Sequence, residues 1–203
     1  MREILLALAL AGGLLAVGGH ASAQVATLGK AATPPVFASA EKAFDELGDY
    51  SVELGQVKIL KRSPLHVQIN AEVEAATVRR FPMVMVEQSA EVLAYGLFRM
   101  FIHTKANEVT VTALPVLQTF NDKGSTEKPL KERSVQVHMT RAQAEQVARD
   151  VVGVQSLNDL VAKELMGWGW SAPMKSTLGQ GMSRRGVDPA FLKALGLQVN
   201  PPK

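Results

Sequence analysis

Leu65-His66-Val67-Gln68-Ile69-Asn70-Ala71-Glu72-Val73-Glu74-Ala75 alternates without a break. Leu65, Val67, Ile69, Ala71, Val73 and Ala75 point one way, and His66, Gln68, Asn70, Glu72 and Glu74 point the other. A period of two is the signature of a strand with one face packed and the other wet. The chain therefore builds a sheet covered on a single side.

Upstream, Arg62-Ser63-Pro64 makes a turn, and Tyr50, Val52 and Leu54 alternate with Ser51 and Glu53 before Gly55-Gln56 shifts the phase to Val57 and Ile59. That reads as the partner strand of a hairpin, with a bulge at the phase shift. Earlier still, Phe37, Ala40, Phe44 and Leu47 have helical spacing and Gly48 is a natural stop.

Downstream, Val86, Ala90, Leu93, Ala94, Leu97, Phe98 and Phe101 mark a central amphipathic helix over Met85 to His103. Gly96 inside it costs about 1 kcal/mol against Ala, which signals a close approach by a neighbouring element. Val109, Val111 and Ala113 form a strand that Pro115 breaks or ends. Residues 121–133 read as a polar loop, and Ser134 to Met139 as a further strand. Thr140-Arg141-Ala142-Gln143 is a capping box opening a helix that stops at Gly153. Ser156 caps another, with Leu157, Leu160, Val161 and Leu165, ended by Gly167.

The expected fold class is α+β, an antiparallel sheet of about four strands with helices packed on one face, in the order α-β-β-α-β-β-α-α. Its domain is residues 36–166. Residues 24–35 are a flexible leader, and 167–203 a Gly- and Pro-rich basic, partly ordered tail with a short helix near 189–195.

The first 23 residues stand apart. Ile4 to Val17 is an apolar run that ends in Ala21-Ser22-Ala23, the form of a secretory signal peptide cleaved after Ala23. The alternative is an uncleaved N-terminal anchor. The expected location is a bacterial periplasm, in keeping with a chain that has no Cys. At 203 residues, 47% apolar and 20% charged, the composition excludes a disulfide scaffold, a low-complexity polymer and a multi-spanning membrane protein.

Charge is unevenly placed. Residues 24–165 carry 16 basic against 17 acidic side chains, whereas 166–203 carry five basic residues against Asp188 alone. Within that tail, Trp168, Trp170, Arg184 and Arg185 are candidate contacts for an envelope protein partner, a membrane surface or a cell-wall polymer. The alternative is that the tryptophans fold back onto the body. Nucleic acid is not an expected partner, since the body lacks a broad basic face.

Glu87, Glu91, Tyr95, Arg99 and His103 recur every fourth residue of the central helix, each step about 40° out of line with the last. Glu91, Tyr95, Arg99 and His103 could line one side of a groove as acid, phenol and base, and the last three are candidate ligand contacts. The ordinary alternative is a polar stripe in which Arg99 pairs with a carboxylate. His66 and His138 fall on polar strand faces without metal-ligand spacing, so neither metal nor cofactor is expected. Ser125-Thr126-Glu127-Lys128 matches a Ser-x-x-Lys pattern, yet it lies in a polar stretch before Pro129 and lacks the companion elements that chemistry needs. No catalytic residue is assigned.

The leading functional expectation is an exported envelope protein acting as a non-enzymatic interaction or assembly module. A small periplasmic hydrolase or ligand-binding protein with a cleft along the central helix is the second reading. Peripheral membrane or cell-wall binding through the tail is the third.

Overall fold

The computed structural model describes residues 32–122, 124–180 and 186–197. The expected signal peptide over residues 1–23, residues 24–31 of the expected flexible leader, and the pair Arg184 and Arg185 lie outside them.

Helix α1 (Ala40–Leu47) starts where the Ser39 hydroxyl accepts the Lys42 N–H at 3.2 Å, and it stops at Gly48, whose φ of 74° suits a residue without a Cβ. Tyr50 to Leu54 does not form a strand. The Ser51 hydroxyl accepts the Leu54 N–H and the Ser51 carbonyl those of Gln56 and Val57, so the backbone satisfies itself in turns. Strand β1 (Val57–Arg62) begins only after them. Strand β2 (Leu65–Glu74) buries Leu65, Val67, Ile69, Ala71 and Val73, the alternation its sequence announces.

Strand β3 (Glu108–Asn121) pairs with β2 in parallel, from Leu65 opposite Val109 to Glu74 opposite Gln118. The sheet is therefore mixed, and the antiparallel expectation is corrected. Parallel neighbours need a long crossover, which is supplied here by α2 (Ala75–Arg80) and by the central helix. The latter comprises α3 (Val84–Ala94), a π turn (Tyr95–Arg99) and α4 (Met100–His103).

Pro115 does not end β3. On the side away from β2, the strand pairs first with β5 (Val135–Thr140) up to Ala113 and then with β4 (Gly124–Pro129) from Val116. The Pro115 carbonyl faces that edge, accepting the Leu130 N–H at 2.8 Å, so the missing proline N–H falls in the gap between two partners. Strand β4 replaces the expected loop. Each of its residues is exposed, so no apolar alternation betrays it.

Among the described residues this gives a five-stranded sheet with helices packed over one face. Contact is closest at Gly96, where a Cβ would sit 2.7 Å from Val111 Cγ1 and 3.0 Å from Ile69 Cδ1. That is the approach which glycine in mid-helix implies.

After the capping box at Thr140, α5 (Arg141–Val147) runs into a second π turn (Ala148–Val152) that stops at Gly153. Ser156 caps a single 3-10 turn (Leu157–Leu160), not the expected helix. A hairpin follows, β6 (Val161–Glu164) and β7 (Gly167–Trp170), with Leu165 and Met166 at its tip, 97% and 95% exposed. Residue 166, expected to close the domain, thus lies in a hairpin loop. Beyond it come α6 (Ala172–Thr177) and α7 (Pro189–Ala194), the second capped by Asp188. Met174, Leu178, Phe191, Leu192 and Leu195 are buried, with Phe191 stacked on Phe98 at 6.0 Å. The described part of the C-terminal segment is core-forming.

Candidate functional site

The π turn fixes the geometry of the site. It holds more residues per turn than an α-helix and so absorbs part of the angular drift that four-residue steps accumulate. Glu91, Tyr95 and Arg99 consequently all line one cleft of about 850 Å³. Its other walls are the turn after α1, with Asp49 and Tyr50, and the hairpin, with Lys163, Trp168 and Trp170. Two sets of candidates, one from the central helix and one from the presumed tail, meet here.

Arg99 stands at the centre, 2% exposed. Its Nη2 donates to the Trp168 carbonyl at 2.8 Å, and its Nη1 to His103 Nε2 at 3.4 Å. The guanidinium carbon lies 4.3 Å from the Trp170 ring centroid and 5.6 Å from that of Tyr95, an arrangement favourable to a cation. Nε is buried without a partner. Among the described residues no carboxylate forms an ion pair with Arg99. The polar-stripe alternative, with Arg99 paired on the surface, does not hold. Burial pulls its pKa down, while Tyr95, Asp49 and Glu164 act in the opposite sense; the group stays a cation.

His103 is fully buried behind Arg99 and does not line the cleft, which corrects the groove expected of all three helix residues. A guanidinium can only donate, so Nε2 accepts from it and Nδ1–H donates to the Pro35 carbonyl at 2.9 Å. Burial holds the imidazole below its usual pKa; the Pro35 bond opposes this and the Arg99 charge adds to it. His103 is a neutral positioning residue for Arg99.

Tyr95 packs edge-on to Tyr50 at 4.8 Å and to Trp170 at 6.2 Å, and its buried hydroxyl has the Asp49 carboxylate within reach without making a bond of good geometry. Burial, then the Asp49 charge, pushes its pKa far above the phenol range. Tyr50 is pushed up to about 12, mainly by burial, with Glu91 next. Glu91 is raised by burial and by Glu87, against a hydrogen bond from Gln180. Both phenols are neutral donors at any physiological pH.

Compared with protein families, curated proteins and solved structures, the chain matches none. The site must be read from its own chemistry.

Two further acids on the cleft are already engaged. Glu46 pairs with Lys42 and Glu164 with Lys175, each at 2.7 Å. Lys163 lies 5.8 Å over the Trp168 ring. Away from the cleft, His66 and His138 bond Thr112 and Thr110 on the wet sheet face at 2.9 and 3.1 Å. Among the described residues, no three His, Asp or Glu side chains gather to hold a metal.

Asp49 and Tyr50 were absent from the sequence candidates. Their alternation suggested a strand, and only the cap at Gly48, which turns the chain toward the central helix, pointed elsewhere. The tryptophans were recognised, but as tail residues.

Proposed function

We propose that the protein is an exported envelope module that works by binding a small organic anion in the Arg99 cleft. The observation that carries this reading is Arg99 itself: a buried cation, held by two neutral acceptors and two aromatic faces, with its Nε–H unspent. Burying a charge without a counter-ion costs several kcal/mol unless something supplies one. A ligand oxyanion does so. A cleft of hundreds of Å³ with aromatic walls and a few polar groups is the ordinary form of a small-molecule site. The helix side chains hold the cation in place, which favours retention of a ligand over its conversion.

The chain's two tryptophans both line the cleft, so their emission reads occupancy directly. Titration with 3-phenylpropionate is expected to change that emission saturably, whereas 3-phenylpropanol, with the same body and no charge, leaves it flat. Arg99→Met abolishes the response while the circular dichroism spectrum stays that of the parent. Equal responses to acid and alcohol, or a response that survives in Arg99→Met, would contradict the reading. Export rests on the apolar run Ile4 to Val17 and on Ala21-Ser22-Ala23. N-terminal sequencing of protein from an envelope fraction tests it, with Gln24 as the expected first residue.

A further inference from the structure

The cleft carries charge of both signs. Besides Glu46 and Glu164, in their ion pairs with Lys42 and Lys175, its lining holds Asp49 on the turn after α1, Glu91 and Arg99 on the central helix, and Lys163 on the hairpin. Asp49 is exposed at the mouth and forms no ion pair among the described residues. It lies near enough for its charge to act on both Tyr95 and Arg99, yet beyond pairing distance of the guanidinium. Beside these opposite charges lie Arg99 Nε, buried without a partner, and the buried Tyr95 Oη, which has Asp49 within reach but makes no bond of good geometry.

A carboxylate and a guanidinium this near would ordinarily close into an ion pair, since unit charges of opposite sign attract. Here the Tyr95 ring and the Trp170 stack hold Arg99 back in the floor, and the turn after Gly48 holds Asp49 at the rim. The gap between them is an electrostatic mould, negative at one end and positive at the other, with aromatic walls. A simple anion would satisfy only the floor and would meet Asp49 and Glu91 on its way in.

We infer that the ligand is an amino-acid-type zwitterion, its carboxylate on Arg99 and its ammonium toward Asp49, with an apolar side chain against Trp168 and Tyr50. The inference rests on the reading of the cleft as an anion site and adds the second charge. Tyr95 Oη, turned away from Asp49, is a donor for the same carboxylate. The cleft volume of about 850 Å³ leaves room for a side chain as large as an indole.

Three probes of one skeleton separate the possibilities: phenylalanine carries both charges, 3-phenylpropionate lacks the ammonium, and phenethylamine lacks the carboxylate. Calorimetric titration of the full mature chain is expected to show phenylalanine binding at least about tenfold more tightly than either relative, the worth of one charge-assisted hydrogen bond. Asp49→Asn, at an exposed position that leaves packing alone, removes that advantage by weakening phenylalanine, while 3-phenylpropionate, relieved of the Asp49 charge, binds at least as tightly as to the parent. If phenylalanine and 3-phenylpropionate bind equally, the zwitterion is overturned and the anion site stands. If phenethylamine binds as well as phenylalanine, or none of the three binds, both readings fall. Phenylalanine affinity unaltered by Asp49→Asn overturns the role given to Asp49.

Discussion

The Arg99 guanidinium is stacked 4.3 Å from the Trp170 ring, and it donates at 2.8 Å to the carbonyl of Trp168, so a single side chain pins the β6–β7 hairpin to the central helix. The contact is structural and electrostatic together, and the two parts separate under substitution.

Arg99→Met keeps the length of the stem while removing the charge. Lost are two hydrogen bonds from the guanidinium and the stack on Trp170; gained is relief from burying a cation that has no ion-pair partner. The two nearly cancel, so unfolding in urea is expected to give a stability within about 2 kcal/mol of the parent. A loss well beyond that would mean that the guanidinium serves the fold first.

Tyr95→Phe removes a buried hydroxyl that has Asp49 within reach but makes no hydrogen bond of good geometry in the free protein. So poorly satisfied a group adds little to the fold, and the phenylalanine variant is expected to lie within about 1 kcal/mol of the parent. Its affinity for 3-phenylpropionate should fall, because the donor is gone. Thermal unfolding and the emission titration check the two halves separately.

Gly96→Ala places a methyl group 2.7 Å from Val111 Cγ1. The helix gains about 1 kcal/mol in propensity, but forcing the sheet away is expected to cost about 1 to 3 kcal/mol net. Val111→Ala opens the space, so a double-mutant cycle should show Gly96→Ala costing far less in that background. A fully additive cycle would mean that the helix does not bear on β3 at that point.

His103 gives the protein a pH dependence of known sign. Its folded pKa lies below the ordinary 6.5 because burial disfavours the charged ring. The unfolded chain then binds the proton more readily, so stability is full above about pH 6.5 and declines as pH falls below it. His66 is lowered in the same sense by burial, and Glu91, raised, acts with the opposite sign in the carboxylate range. Urea midpoints between pH 7.5 and 5.5 should fall in the parent and fall less in His103→Gln, where His66 alone remains. An unchanged slope would remove His103 from the account.

Elements that bury one regular face were legible in the sequence: β2 through its alternation, the central helix through its apolar spacing, α5 through the box at Thr140 and Gln143. Elements held by ladder bonds alone were not, and β4, exposed throughout, is the clearest case. Pairing partners are equally silent, since nothing in Val109 to Ala113 says whether β2 lies parallel to it. The apolar spacing of Leu157, Leu160, Val161 and Leu165 suits a helix, yet Leu165 is a hairpin tip. Tyr95 and Arg99 were visible as a pair. Their meeting with Trp168 and Trp170 was not, because it depends on a π turn and on a hairpin read as helix and tail.

The most direct test watches the unspent N–H. In two-dimensional nitrogen–proton NMR of the mature chain, the Arg99 Nε–H resonance, assigned through its absence in Arg99→Met, should move saturably as 3-phenylpropionate is added, together with the indole signals of Trp168 and Trp170. Shifts confined to other residues, with Arg99 Nε–H unmoved at saturation, would contradict the claim that this buried cation is the seat of binding.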